Sequence, residues 1–352
     1  MFIVRFWLTV ISKLPHRRLI VRYIALIRTK IIHYRVANMQ AIAVESFGAT
    51  PTLMTVPAPR PARGQLLVKL DASGINPIDW RIAQGMLKDR VPHVFPLIMG
   101  VDGVGTVTEV GADVRRFHVG DRVVGQFLFG QVGNGSHADY AVLDEDATLV
   151  LCPETIASPQ AAALPTAGIT ALQLSQRLDI APGGNVLIIG ATGGVGTFLT
   201  QWAVMKGLRV IATANQDAQA YMRTLGAVET LDYHQTPTET WLADHYPQGV
   251  DALVDLVSDG ADFARYVAHV SQGGVALSSV WSAQEENLAE RDIRGGNFEV
   301  LTTANDLDIV LTAVSSGKLK VTIDRVVPLA EGAEALSANR SGGARGKTIL
   351  VR

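Results

Sequence analysis

Asn185-Val186-Leu187-Ile188-Ile189-Gly190-Ala191-Thr192-Gly193-Gly194-Val195-Gly196 is the stretch that decides the fold of this chain. Asn185 to Ile189 is a continuous apolar run, as a strand buried on both faces requires. Glycines crowd the turn that follows, and an amphipathic stretch from Phe198 to Lys206 predicts a helix opening near Thr197. Strand, glycine turn and helix in that order separate a dinucleotide-binding loop from an accidental glycine cluster. Gly190, Gly193, Gly194 and Gly196 let backbone approach a diphosphate without a Cβ in the way. Free N–H groups at the helix start, around Gly194 and Val195, attract phosphate with the help of the helix dipole. The spacing departs by one residue from G-x-G-x-x-G, and a tight strand-to-helix turn without a ligand would read the same way.

Outward from the loop the texture is regular. Leu208 to Thr213, Val250 to Leu256 and Gly274 to Val280 read as further buried strands, and Gln219 to Leu225 as a helix. Upstream, Gln160 to Leu178 is alanine-rich and helix-favouring, with Pro165 early in it. Strands alternating with helices imply an α/β fold with a doubly wound parallel sheet. Before about Glu154 the chain differs: Gln40 to Val44, Gln65 to Ala72 and Gly103 to Val110 are short strand patterns, and Gly120 to Gly125 is a turn entering another. After Ala304 a helix near Leu307 to Ser315 precedes strand-like Lys320 to Pro328 and Lys347 to Val351.

The bulk properties agree with an enzyme-like globular chain. The 352 residues exceed what one hydrophobic core usually serves. The chain is 48% hydrophobic and 18% charged, which excludes a disordered or fibrous class. Eight of its 31 Lys and Arg fall in residues 1–38, which have no Asp or Glu; the remainder is acidic, at −10, and disfavours nucleic acid. Cys152 is the one cysteine, so neither an internal disulfide nor a Cys-rich zinc site is available, and a reducing, cytoplasmic setting is expected. Residues 1–38 form a basic, apolar extension whose charges interrupt any run long enough to span a membrane. It reads as an interfacial cationic helix, an organelle-targeting peptide, or an upstream extension of a functional chain starting near Met39; the last is favoured, and no membrane partner is expected.

The nature of the dinucleotide depends on the end of the second strand, where an NAD-selective site carries a carboxylate for the ribose. Here Ala214-Asn215-Gln216 offers neutral amides, with Asp217 slightly beyond. A 2′-phosphate is permitted there and Asn215 can hydrogen-bond it; both amides also suit an ordinary surface loop.

From Met39 to Arg352 the chain resembles the medium-chain dehydrogenase/reductases of the zinc-independent quinone oxidoreductase branch. The motifs stand in order: Gly74-Ile75-Asn76-Pro77-Ile78-Asp79, Met99-Gly100-Val101-Asp102-Gly103-Val104-Gly105, Val119-Gly120-Asp121-Arg122-Val123 and Ala163-Leu164-Pro165-Thr166-Ala167-Gly168-Ile169-Thr170-Ala171. The glycine loop, Leu225-Gly226-Ala227, Gly249-Val250-Asp251 and Gly346-Lys347-Thr348-Ile349-Leu350 follow. The resemblance implies a GroES-like β-rich catalytic domain from residues 39–157 and 302–352, and a Rossmann domain from 158–301. NADPH would lie in the cleft between them, with NADH left open as cofactor, and a homodimer is usual. It also implies that Asn76 faces the nicotinamide end, Thr170 the nicotinamide or its ribose, and Gly194 and Val195 the diphosphate. Asn215 and Tyr233 would lie near the adenosine phosphate, and Val257, Ser279 and Val280 would line the groove. Two residues depart from the pattern: Gln219 stands where many relatives have a Lys, and Trp80 where many have an aromatic hydroxyl.

No His or Cys set has metal-ligand spacing, so no metal is expected. Zinc-dependent relatives place Cys near Ile75 or Asn76 and Gly-His-Glu where this chain has Gly100-Val101-Asp102. Without zinc to polarise an oxygen, alcohol oxidation is poorly supported. Hydride transfer from reduced nicotinamide to a quinone or conjugated enone needs only positioning and donors for the developing oxyanion. Asn76 is the first donor candidate, followed by Asp79 and Trp80; Asn76 also reads as a turn residue before Pro77, and Asp79 and Asp102 as structural. His137 and Cys152 read as structural. Neither Tyr-x-x-x-Lys nor Gly-x-Ser-x-Gly is present. Two function classes remain: a reductase, and a protein that binds NADPH as a structural or sensory ligand without turnover.

Overall fold

The computed structural model describes residues 38–128 and 130–352. The expectations placed on residues 1–37 therefore lie outside the described residues. The chain divides into two compact units. Gln40–Thr55 with Pro59–Arg352 form the large one, which carries the candidate site; of the other, only Asn38, Met39 and Val56–Ala58 are described.

The N-terminal half is β-rich. Strands β1 (Asn38–Val44), β2 (Thr52–Pro57), β4 (His93–Ile98) and β7 (Val132–Asn134) make one sheet in the order β2-β1-β4-β7. A second sheet holds β3 (Gln65–Gly74), β5 (Asp102–Val110), β6 (Arg122–Gln126), β8 (Tyr140–Asp144) and β9 (Leu149–Leu151). It also takes in β16 (Ile323–Pro328) and β17 (Lys347–Val351) from the far C-terminus. Its path runs β16-β17-β3-β5-β6-β9, with β8 on β3 as well. The end of the chain thus completes the sheet that the beginning started: Ile349 pairs with Gly74 and Val351 with Ala72.

Between these pieces lies a six-stranded, all-parallel sheet: β10 (Asn185–Ile189), β11 (Arg209–Thr213), β12 (Glu229–Leu231), β13 (Val250–Asp255), β14 (Val270–Ser278) and β15 (Arg294–Asn297). The order β12-β11-β10-β13-β14-β15 places β10 at the point where the winding reverses, which is where open α/β sheets bind ligands. Side chains alternate along a strand. Val186 and Ile188 enter the core cluster on one face, with Val210, Ala212, Phe198 and Leu199; Leu187 and Ile189 enter the other, with Ile211, Leu253 and Phe263. Both faces are covered, hence the unbroken apolar run.

The helices are α1 (Pro77–Ala83), α2 (Ser158–Ala162), α3 (Pro165–Arg177), α4 (Gly194–Met205), α5 (Gln216–Thr224), α6 (Thr238–His245), α7 (Gly260–Val267), α8 (Glu285–Ala289), α9 (Ala304–Ser315) and α10 (Gly332–Ser341). Two expectations are corrected. The alanine-rich stretch is two helices, because Pro165 has no N–H to continue the first and a preset φ to begin the second. Helix α4 opens at Gly194, not near Thr197, so the last glycines lie inside its first turn. Among the described residues no helix is long and apolar enough to cross a membrane.

Candidate active site

The expected cofactor residues follow the carboxyl ends of five adjacent strands. Gly190 follows β10, Asn215 follows β11, Tyr233 follows β12, Val257 follows β13, and Ser279 and Val280 follow β14. Gly190 has φ +79, and a Cβ there would come within 2.8 Å of Val257 Cγ1. Its N–H donates to Thr213 Oγ1 at 2.9 Å, which ties the loop to the end of β11. At Gly196 a Cβ would meet Gly190 O at 2.4 Å, so this glycine is required by close packing of the helix on its own loop.

Gly193 differs. Its backbone is ordinary (φ −75, ψ 178), and a Cβ would find only Gly190 O, at 3.4 Å. Neither strain nor packing within the protein requires glycine here. Gly193 is also the N-cap of α4 without a side-chain cap, so the helix start presents bare amide donors, as an anion requires.

At the end of β11, Asn215 stands at the N-cap position of α5 without a side-chain cap, and its Oδ1 is buried without a partner. A buried orphan acceptor is costly unless something donates to it or the amide turns to present its N–H₂ group to a ligand. Arg345 Nη2 lies 3.3 Å from Asp217 Oδ2 in the first turn of α5, which places its guanidinium near the end of β11. Tyr233 is half-exposed and its ring sits 4.3 Å from that of His234. Val257 is 66% exposed, which leaves an apolar surface open at the carboxyl end of the sheet. Ser279 N–H donates to Asp255 O, and Val280 N–H to Ser278 Oγ. Thr170 is buried in α3.

The catalytic candidates Asn76 and Asp79 meet in one buried cluster, together with residues that sequence reasoning passed over. Asn76, the N-cap of α1, is 3% exposed. Its N–H donates to Asp79 Oδ2 at 2.7 Å, and Asp79 Oδ1 accepts from Val101 N–H at 2.9 Å. Asn76 Nδ2 donates to Asp102 Oδ2 at 2.9 Å and to Gly74 O at 3.3 Å. Lys347 Nζ donates to Asn76 Oδ1 at 2.5 Å and to Ile75 O at 2.7 Å. Every hydrogen-bonding group of the Asn76 side chain is engaged, so in this structure its amide is a fixed strut and not a free donor. Acting as a direct oxyanion donor would require Asn76 to release one of these bonds.

Asp102 and Lys347 are the charged pair of the cluster, Nζ to Oδ2 3.9 Å. Burial pushes the Asp102 carboxyl up and the Lys347 ammonium down, each towards its neutral form, while their mutual attraction opposes both shifts. The donors around Asp102 favour the carboxylate: besides Asn76 Nδ2, it accepts from Thr166 N–H at 3.1 Å and Thr166 Oγ1 at 2.6 Å. We therefore treat the pair as ionised. His137 is fully buried; Nδ1 is 3.0 Å from Ser73 Oγ, and Nε2 stands 3.5 Å from Asp79 Oδ2 without hydrogen-bond geometry. Gly100 is required here, because a Cβ would come within 2.5 Å of His137 Nδ1.

Trp80 lies apart from these contacts. Its ring is flanked by the guanidinium groups of Arg81 and Arg340, and its buried Nε1 has no acceptor. Asp79, Met99, Val101, Phe127 and Leu128 help to wall a small recess of about 20 Å³, room for one water. Among the described residues no three His, Cys, Asp or Glu side chains gather in a way that could hold a metal ion. The signal for Lys347 was present in the sequence: a lone cation opening the otherwise apolar strand Lys347-Thr348-Ile349-Leu350-Val351.

Two family models match the chain: the alcohol dehydrogenase GroES-like domain over residues 62–154, and the zinc-binding dehydrogenase model over residues 225–350. The chain is 32% identical over 327 residues to a chloroplast envelope quinone oxidoreductase homolog of Arabidopsis thaliana, covering 89% of this chain and 98% of that protein. It is 28% identical to an NADPH-dependent alkenal/one oxidoreductase of the same plant, covering 89% of this chain and 79% of that one. A solved quinone oxidoreductase from Coxiella burnetii superposes with TM-score 0.80 at 30% identity, covering 90% of this chain and all of that one.

Proposed function

The chain belongs to the medium-chain dehydrogenase/reductase superfamily of oxidoreductases that bind a nicotinamide cofactor, and we propose that it is a zinc-independent, NADPH-dependent reductase of quinones or α,β-unsaturated carbonyls. The observation that carries the cofactor reading is Gly193, a glycine that neither strain nor a tight contact requires, at the uncapped start of α4. The residues fit a dinucleotide. Gly193, Gly194, Val195 and Gly196 would hold the diphosphate, Asn215 and Arg345 the adenosine end, and Thr170, Val257, Ser279 and Val280 the nicotinamide half. Reduced nicotinamide supplies a hydride when bound. Arg345 and the missing carboxylate at Asn215 support NADPH over NADH.

The chain's own residues shape the rest. The Asn76–Asp79–Asp102–Lys347 cluster is built from protein hydrogen bonds, and Ile75, Asn76, Val101 and Asp102 supply no zinc-ligand set, which supports hydride transfer to an acceptor that is already electron-poor. Quinone oxidoreductases and an alkenal/one oxidoreductase among the relatives support the same acceptor class. With Asn76 engaged, the proton that follows the hydride is assigned to solvent. The two-lobe division at 158 and 301, a homodimer and a cytoplasmic setting complete the proposal.

Steady-state oxidation of NADPH and NADH with a panel of quinones and enones tests this reading. Turnover with at least one member, faster with NADPH, is expected. Tight NADPH binding with no acceptor oxidising it would instead identify a non-catalytic binding protein.

A further inference from the structure

The segment Gly346–Thr348 touches two places at once. On one side Gly346 N–H donates to Thr192 O at 2.9 Å, inside the glycine loop, and Gly193 and Gly346 form a parallel bridge. The aliphatic stem of Lys347 packs under the first residue of α4: a Cβ on Gly194 would come within 2.7 Å of Lys347 Cδ. On the other side Lys347 Nζ holds Asn76 Oδ1 and Ile75 O, and Thr348 O accepts from Ile75 N–H at 2.9 Å. The head of one buried lysine thus fixes the Asn76 turn, while its stem and the residue before it rest on the loop. Gly346 has φ +102, and a Cβ there would strike Thr322 O at 2.4 Å, so the backbone is confined to this path.

We propose that Lys347 is a positioning residue that couples occupancy of the glycine loop to the geometry of the Asn76 turn, so that filling the loop tightens that turn. This rests on the reading of the loop as a dinucleotide site. The lysine acts through its contacts and does not itself meet the reacting atoms. A long, flexible side chain with its stem packed and both acceptors fixed has little freedom left. A small movement of Gly193 and Gly194 around a diphosphate therefore shifts Gly346 and Lys347, and with them the Asn76 amide. Asp102, 3.9 Å from Nζ, opposes the burial that disfavours the ammonium and gives Asn76 Nδ2 its acceptor.

The test measures binding and backbone protection, not turnover. NADPH is titrated by its fluorescence, and amide hydrogen exchange across residues 74–80 is followed with and without it, in the wild type, in K347R and in K347M/D102N, the last removing both buried charges together. In the wild type and K347R, NADPH is expected to slow exchange in this segment by about fivefold or more. In K347M/D102N it is expected to bind within about threefold of wild-type affinity yet slow that exchange less than about twofold. NADPH binding to the wild type without protection of 74–80, or full protection in K347M/D102N, overturns the coupling alone. Binding to neither NADPH nor NADH by the wild type overturns the loop reading and this inference together.

Discussion

Lys347 Nζ lies 2.5 Å from Asn76 Oδ1, joining residues 271 apart in the chain. Removing the cation alone leaves Asp102 buried without its counter-charge. Lys347→Met should cost about 3–5 kcal/mol of stability, and adding Asp102→Asn should return most of it. Denaturant unfolding of the two variants checks this; equal stability of K347M and wild type would contradict an ionised pair.

The two glycines of the loop should separate folding from binding. Gly196→Ala forces a Cβ against Gly190 O and should lower the melting temperature as well as dinucleotide affinity. Gly193→Ala meets nothing tight in the protein, so its melting temperature should stay within about 2 °C of wild type while affinity for NADPH falls about tenfold or more. Thermal melts paired with fluorescence titration provide both readouts.

Arg345 should set the preference between nucleotides. Arg345→Gln is expected to raise the Kd for NADPH about tenfold and leave that for NADH within about twofold, because only the 2′-phosphate needs the guanidinium. An unchanged ratio would remove Arg345 from the site.

These contacts show where the sequence was readable and where it was not. The parallel strands declared themselves because both faces are covered, so Val186, Leu187, Ile188 and Ile189 are all apolar, and the glycine turn lies between two such signals. Strand β15 did not, since Arg294-Gly295-Gly296-Asn297 carries no apolar pattern and is a strand through its backbone pairing with β14. Helix α10 was also hidden, as its ten residues bury only Gly332, Ala335 and Leu336. Within the site, Asn76 and Asp79 were legible from one short motif. Their commitment to Lys347, Asp102 and Val101 was not, because it depends on β17 returning beside β3.

Cys152 should be inert in the native state. Burial pushes its thiol up from 9.0 to about 11, so the thiolate fraction at pH 8 is roughly one in a thousand. Alkylation should rise about tenfold per pH unit above pH 8 and level off near pH 11. The sign for stability follows: the unfolded thiol ionises first, so this group's contribution falls as pH climbs above 9.0. Rapid labelling of the folded protein at pH 7 would contradict the burial.

Chelation should change nothing. Overnight treatment with a strong zinc chelator is expected to leave NADPH-dependent turnover within about 20% of the untreated rate, because Asn76 and Asp102 are held by protein donors and no ligand set accompanies them. Activity that vanishes on chelation and returns with zinc would refute the metal-free reading.

The most direct test of the whole account is isotopic. NADPH carrying deuterium at C4 is incubated with the protein and a conjugated enone, and the product is analysed by mass spectrometry. The account predicts one deuterium at the β-carbon for each NADPH consumed from the labelled face, with the second hydrogen drawn from solvent. NADPH consumption without deuterium in the product, or no consumption with any enone or quinone tried, would contradict it.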